Sequence, residues 1–263
     1  MKEHHRFCGR STVAQVVDEP AFEGFGRLLF PVDLNIKKTA TLQEISSSRV
    51  YLWYSNIQAG KTVEVLNNLY DRVLAGEEIF YPLYTQEEQK RNPKLKDTGI
   101  FFLRGEPGAR FGIMNAGGGF YYVAALHDSF PHALELSRRG HNAFVLIYHP
   151  ESPWEDLGRA LCFIEDHADE LAVDPLGYSL WGGSAGARMA AVLGNRTNLE
   201  RITGRKSIGW REVKSLREAN APLEAGCLPQ ASAVIMQYTG YNICAEDDAP
   251  TYACLGTNDS IAS

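Results

Sequence analysis

The sequence predicts an α/β protein with a doubly wound, mostly parallel sheet, and three observations lead to this prediction. Short apolar runs of strand length recur through the second part of the chain. Amphipathic stretches long enough to form helices separate several of these runs. The runs are apolar without alternation, which is typical of strands that helices cover on both faces.

The predicted strands cover residues 100–103, 111–114, 143–148, 178–181, 233–238 and 252–255. Helices are predicted over residues 129–139 and 153–171, because apolar side chains recur there at helical spacing. In a parallel sheet of this kind, ligands and catalytic groups lie beyond the carboxyl ends of the strands. Those ends are therefore the place to search for a functional site.

The first 98 residues follow a less regular pattern. We expect residues 1–98 to form an N-terminal extension or cap, and residues 99–263 to form the α/β domain. A helix is predicted over residues 62–75, where apolar residues have helical spacing. The charged stretch at residues 86–97 predicts a solvated linker between the two parts.

Composition restricts the class of protein. A chain of 263 residues that is 44% apolar can bury a sizeable core. Its net charge of −6, without a basic block, argues against a nucleic-acid partner. No apolar run approaches the ~18 residues of a membrane span, so a cytoplasmic protein is expected. The five cysteines form no C-x-x-C pair, which favours free thiols and no metal site.

The segment Gly182-Gly183-Ser184-Ala185-Gly186 follows the predicted strand at residues 178–181 and precedes a helix-compatible stretch. This is a G-x-S-x-G motif in the strand–turn–helix context that supports a nucleophile elbow. The turn is so tight that side chains two residues before and after the serine would collide, which explains the outer glycines. The motif predicts Ser184 as the nucleophile.

A second glycine-rich segment, Asn115-Ala116-Gly117-Gly118-Gly119-Phe120, follows the strand at residues 111–114. A tetrahedral intermediate needs two or three backbone N–H groups aimed at one oxygen, and glycines allow such close approach. We expect Gly118 and Gly119, together with the N–H group of Ala185, to form the oxyanion hole.

Taken in order, the GGG-F loop and the Trp181-Gly182-Gly183-Ser184-Ala185-Gly186 elbow resemble those of α/β-hydrolase carboxylesterases, including the hormone-sensitive-lipase-like and the acetyl- or feruloyl-esterase-like groups. The resemblance covers residues 99–263. It implies a serine carboxylester hydrolase that acts on a small ester through an acyl-enzyme, without a metal or organic cofactor. One departure is Ala116, which stands where many relatives have histidine or proline.

In this fold the nucleophile, the acid and the histidine follow one another along the chain. The segment Gly256-Thr257-Asn258-Asp259 follows the strand at residues 252–255 and looks like the acid turn of the family. The resemblance therefore implies Asp259 as the acid. Asp247 and Asp248, on the preceding loop, are the alternatives.

All seven histidines precede Ser184, whereas the histidine of the family would lie one strand beyond Asp259. We favour a truncated chain that lacks its last strand, the histidine loop and the final helix, and therefore weak or no activity. Such a chain would expose the edge of the strand at residues 252–255 and would be aggregation-prone or marginally stable. The alternative is a substitute base, with His127 preferred over His149. Hydrogen-bonded structural roles suit both of these histidines better.

Two other functions stay open at this level. The chain could be a non-catalytic hydrolase-fold protein that binds a ligand, or it could use the same site as a serine peptidase or thioesterase. A lost serine or glycine at the elbow would favour the non-catalytic protein, and here all of them are present.

Overall fold

The computed structural model describes residues 6–47, 50–51, 54 and 57–259. Its centre is a seven-stranded sheet. The strands are β1 (Phe80–Pro82), β2 (Gly99–Leu103), β3 (Arg110–Asn115), β4 (Asn142–Ile147), β5 (Asp174–Gly183), β8 (Ala233–Gln237) and β9 (Thr251–Cys254). They lie in the order β1-β2-β4-β3-β5-β8-β9. Strands β4, β3, β5, β8 and β9 are mutually parallel. The predicted doubly wound, mostly parallel sheet is thereby confirmed.

Strand β2 does not follow the parallel pattern. It pairs antiparallel with both β1 and β4. All five of its residues are buried, as are all six of β4. A strand buried on both faces has a continuous apolar sequence whether it is parallel or antiparallel to its neighbours. The sequence pattern therefore locates β2 but does not predict its direction.

Eleven α-helices are described, and most of them flank the sheet. They are α1 (Val13–Val17), α2 (Leu42–Ser47), α3 (Ala59–Leu74), α4 (Gln86–Arg91), α5 (Ala125–Asp128), α6 (Phe130–Arg138), α7 (Pro153–Asp166), α8 (Ala168–Leu171), α9 (Ala185–Gly194), α10 (Arg196–Thr203) and α11 (Trp210–Glu218). Short 3-10 helices cover Pro20–Phe22, Gly26–Leu29 and Pro93–Asp97. Two short strands, β6 (Ser207–Ile208) and β7 (Leu228–Pro229), form a separate parallel pair.

The helices that position the site lie directly on the sheet. Helix α6 packs against β4 and β3, and α9 packs against β5 and β8. The single helix predicted over residues 153–171 is two helices, α7 and α8, divided at His167. There the backbone leaves the helical region, and the His167 ring is hydrogen-bonded to the carbonyl of Phe163 at 2.8 Å.

Many of the described apolar residues before position 99 belong to the hydrophobic core that covers the sheet. Helix α3 begins three residues before the helix predicted over residues 62–75 and ends one residue before its predicted end. Strand β1 extends the sheet, and the Phe25 ring lies 5.4 Å from that of Phe101 in β2. The predicted charged linker forms α4 and a 3-10 helix without a buried residue. The division of the chain at residue 98 stays a prediction.

Strand β9 differs from the other predicted strands. Its side chains are largely exposed, with Tyr252 at 64%, and it pairs with β8. Across the described ranges, no other strand pairs with its outer edge. An unpaired edge was expected for this strand, whereas its apolar sequence did not predict that its side chains are exposed. No helix among the described residues has both the length and the apolar character needed to cross a bilayer.

Candidate functional site

Ser184 lies in a sharp turn between the end of β5 and the start of α9. Its backbone has φ +50° and ψ −113°, a conformation that is rare for a residue with a side chain. A Cβ atom on Gly182 would overlap the carbonyl group of Gly186, and one on Gly186 would overlap the carbonyl oxygen of Asn115. Both outer glycines of the motif are therefore required by close backbone contacts.

One fold combines this strand order with a strained serine after β5 and a helix that begins directly after the serine. The chain has the α/β-hydrolase fold. Solved structures with a partial likeness to it include three hydrolases.

Esterase 2 of Thermogutta terrifontis, phosphonylated by cyclosarin, is 23% identical over 54% of this chain and 51% of its own, with a TM-score of 0.39. The acetyl ester-xyloside bifunctional hydrolase of Caldicellulosiruptor lactoaceticus is 22% identical over 60% and 56%, with a TM-score of 0.45. Carboxyl esterase 2 of Tuber melanosporum is 15% identical over 54% and 40%, with a TM-score of 0.35. The chain spans about half the length of these proteins. It matches no protein-family model and no curated protein sequence.

The glycine loop at residues 115–119 extends from the end of β3 and approaches the turn at Ser184. Gly118 has φ +131° and Gly119 has φ +64°, conformations that glycine adopts without strain. The carbonyl of Gly118 accepts the N–H groups of Tyr121 and Tyr122, at 3.0 and 3.3 Å. In the described part of the chain, the N–H groups of Gly118, Gly119 and Ala185 have no hydrogen-bond acceptor. These three donors are therefore free to bind an oxygen.

Three hydrogen bonds hold the loop in place. The Asn115 side-chain amide donates to the carbonyl of Trp181 at 2.9 Å, and the Tyr148 hydroxyl donates to the carbonyl of Ala116 at 2.8 Å. The N–H group of Gly117 donates to Asp128 Oδ2 at 2.5 Å. Ala116 itself is fully buried and contributes only backbone atoms to this anchoring.

Ser184 opens into a cavity of about 970 Å³. Part of the wall comes from residues before position 99, and part from the glycine loop, the elbow and the segments that follow β8 and β9. The lining residues are Tyr54, Ile57, Gln58, Lys61, Thr62, Gly118, Gly119, Phe120, Leu126, His127, Asp128, Pro131, His132, Ser184, Ala185, Arg188, Tyr238, Gly256 and Asp259. Ser184, Asp259 and the three residues with free N–H groups thus border one cavity.

The two alternative acids lie elsewhere. Asp247 accepts hydrogen bonds from the Thr197 hydroxyl at 2.5 Å and from Asn195 at 2.7 Å, and these bonds, chiefly that of Thr197, lower its pKa. Asp248 accepts from Asn195 at 2.8 Å and from the N–H group of Ala245. Both carboxylates hold the start of α10 and do not line the cavity of Ser184.

His127 borders the same cavity, but its imidazole ring is largely buried. Its Nδ1 lies 3.3 Å from the Thr62 hydroxyl, and its ring stands edge-on to that of Tyr51, with 4.4 Å between centroids. Its Nε2 is buried without a hydrogen-bond partner among the described residues. Burial lowers the pKa of His127 to about 3, so its imidazole is neutral at ordinary pH. No described residue forms a hydrogen bond with Ser184 Oγ.

His149 is held in another place, at the carboxyl end of β4. Its Nδ1 lies 2.6 Å from Asp156 Oδ2, and its backbone N–H donates to the same oxygen at 2.8 Å. The hydrogen bond to Asp156 raises the pKa of His149. The Tyr84 hydroxyl donates to the other oxygen of Asp156 at 2.5 Å. His149 does not line the Ser184 cavity.

The sequence reasoning missed several residues of the cavity wall. Asp128, Tyr54 and Tyr238 meet behind the glycine loop, and no motif or spacing marks them. Lys61 and Arg188 supply positive charge, and Lys61 is paired with Glu64 at 2.8 Å. Arg188, one helical turn after Ser184, forms no ion pair with any described residue. Arg188 follows Ser184 by one turn of the predicted helix, and this spacing could have identified it from the sequence as a neighbour of the nucleophile.

Proposed function

We propose that this protein is a serine hydrolase that cleaves small carboxylic esters through an acyl-enzyme, with Ser184 as the nucleophile. The observation that carries the proposal is the convergence of a strained serine and three free N–H groups on one cavity. Backbone donors without partners beside a nucleophile are what a developing oxyanion requires.

In the proposed reaction, Ser184 Oγ attacks the ester carbonyl carbon while a base accepts its proton. The carbonyl oxygen becomes an oxyanion, held by the N–H groups of Ala185, Gly118 and Gly119. Collapse of the intermediate expels the alcohol, which takes the proton from the base and leaves the acyl group on Ser184. Water then attacks the acyl-enzyme in the same way and releases the acid.

The carboxylate and the base that assist Ser184 are separate proposals. Asp259 borders the cavity together with Ser184, so it is our choice to orient the imidazole that acts as base. His127 suits that base role poorly, since a pKa of about 3 makes the imidazole a weak proton acceptor. The comparison of wild type with His127→Ala therefore belongs in the test of this function.

The cavity favours a small or medium-sized ester. Its volume of about 970 Å³ lies in the range of small-molecule sites. Apolar side chains such as Ile57, Leu126 and Pro131 suit an acyl or alcohol group, whereas Arg188 and Lys61 favour a substrate without positive charge.

The test is labelling by a fluorophosphonate, followed by ester hydrolysis. Wild type should gain the mass of one label, at Ser184, and should hydrolyse 4-nitrophenyl acetate slowly, because no described residue forms a hydrogen bond with Ser184 Oγ. Ser184→Ala should do neither, whereas Ser179→Ala, which changes a serine in β5, the strand that leads to Ser184, should do both. Labelling that persists in Ser184→Ala would refute the nucleophile.

A panel of short 4-nitrophenyl esters, thioesters and aminoacyl anilides then separates the reaction classes. We expect turnover of the esters to exceed that of the anilides. Binding of the esters without turnover or labelling would instead indicate the non-catalytic binding protein.

A further inference from the structure

Asp128, the last residue of the short helix α5, lies directly behind the glycine loop. Its side chain is almost withdrawn from solvent, with 7% of the residue exposed. It accepts the N–H group of Gly117 at 2.5 Å and the Tyr54 hydroxyl at 3.1 Å, both on Oδ2. Its Oδ1 accepts the Tyr238 hydroxyl in a short hydrogen bond. A buried carboxyl group of this kind is stable only when its oxygens are hydrogen-bonded.

The three donors come from separate parts of the chain. Tyr54 is 74 positions before Asp128 in the sequence, and Tyr238 is 110 positions after it. Tyr238 follows β8 with φ +39°, a conformation that an aromatic residue rarely adopts. Burial raises the pKa of both tyrosines, so both keep the proton that they donate. The carboxyl group thus joins the N-terminal part of the chain, the loop and the sheet.

Asp128 also contacts the elbow. A Cβ atom on Gly183, the residue before Ser184, would lie 2.9 Å from Asp128 Oδ2 and would overlap the Tyr238 hydroxyl. On the loop side, a Cβ atom on Gly117 would lie 3.1 Å from the Gly183 carbonyl oxygen and 3.2 Å from Ser184 Cβ. The loop, the elbow and the carboxyl group are therefore in close contact with one another.

We propose that Asp128 is a positioning residue that fixes the glycine loop against the elbow, with Tyr54 and Tyr238 holding its carboxyl group. The inference rests on the proposed hydrolase function. The N–H group of Gly117 is adjacent to the two loop donors, so its hydrogen bond to Asp128 sets the direction of the N–H groups of Gly118 and Gly119. Because the side chain of Ala116 cannot anchor the loop, Asp128 supplies this anchor from behind.

The test compares two buried carboxyl groups. Asp156 is the matched control, because it is fully buried, accepts a tyrosine hydroxyl and a backbone N–H, and lies outside the cavity. We expect Asp128→Ala to lower kcat for 4-nitrophenyl acetate about 10- to 100-fold, less than the ~10² to 10³ of a lost oxyanion donor. KM should change by no more than about twofold, since the ground-state contacts are kept. Asp156→Ala should lower Tm but keep kcat.

Asp128→Asn should restore most of kcat, because its amide oxygen still accepts the N–H group of Gly117. If Asp128→Ala fails to fold, Tyr238→Phe decides in its place, since it removes one of the hydroxyl donors that hold the carboxyl group. We expect Tyr238→Phe to lower kcat in the same direction without changing KM. Equal kcat in wild type, Tyr238→Phe and the folded Asp128 variants would overturn the proposal.

Amide hydrogen exchange over residues 115–119 provides a readout that does not depend on catalysis. Exchange there should be faster in Asp128→Ala and in Tyr238→Phe than in wild type, and unchanged in Asp156→Ala. Equal exchange in all four proteins would overturn the positioning role even if wild type is active. Absence of ester turnover and of Ser184 labelling in wild type would refute the proposed function, and the exchange rates would still decide the role of Asp128.

Discussion

Replacing Gly118 by alanine should separate the chemistry of the glycine loop from the stability of the fold. Gly118 has φ +131°, and an added Cβ atom would overlap the carbonyl oxygen of Tyr122 and lie 2.9 Å from its carbonyl carbon. The loop must therefore move. That movement also disturbs the hydrogen bonds that the Gly118 carbonyl accepts from Tyr121 and Tyr122.

The magnitude follows from two effects. Backbone strain at such a φ destabilises the folded protein by about 1–3 kcal/mol. Misalignment of the Gly118 N–H group raises the activation barrier by about 3–4 kcal/mol, the effect of losing one oxyanion donor, which is a fall of ~10² to 10³ in kcat. The fall in kcat of Gly118→Ala should therefore be much larger than the lower stability of the folded protein would cause.

Gly76→Ala is the matched control. Gly76 also has a positive φ, +85°, but an added Cβ atom there would meet no atom within 4 Å. It should lower stability by about 1 kcal/mol and leave kcat unchanged. The assays are thermal unfolding and 4-nitrophenyl acetate hydrolysis. If Gly118→Ala loses no more kcat than Gly76→Ala, the Gly118 N–H group does not stabilise the oxyanion.

Two further predictions concern pH. The Asp156 hydrogen bond raises the pKa of His149 in the folded state, so its contribution to stability is complete below pH ~6.5 and is lost as pH rises through that higher pKa. The difference in unfolding free energy between wild type and His149→Asn should thus shrink from pH 6 to 9, and a constant difference would contradict it. For His127, the change of stability with pH has the opposite sign. With a folded pKa of about 3 against 6.5, it should destabilise the fold progressively as pH falls from ~6.5, by up to ~1.4 kcal/mol per pH unit. His127→Gln should be less acid-sensitive than wild type in urea titrations at pH 4 and 7, and equal sensitivity would count against burial as the cause.

Much of the fold was predictable from the sequence because its signals are local. All six predicted strands are present, and the helix predicted over residues 129–139 matches α6 to within one residue at each end. The elbow and the glycine loop were also visible, since glycine is needed wherever backbone segments meet at Gly182, Gly186 and Gly118. Such steric requirements apply to individual positions, so the residue type at each position indicates them.

Other features follow from pairing and packing that no local pattern records. The direction of β2 depends on which strands lie beside it, and an apolar run is the same in either direction. The exposure of β9 depends on its position at the end of the sheet. Among Asp247, Asp248 and Asp259, all on loops late in the chain, the tertiary structure brings Asp259 alone to the cavity.

The α/β class and the strained serine at position 184 follow from the sequence alone, because both depend on short-range periodicity and backbone sterics. How the glycine loop is held depends on tertiary contacts. Asp128, Tyr54 and Tyr238 meet across 74 and 110 positions of sequence, and no local sequence pattern marks any of them. A buried carboxyl group acquires its role only when folding removes water and brings hydrogen-bond donors to it, and that arrangement is a property of the whole core.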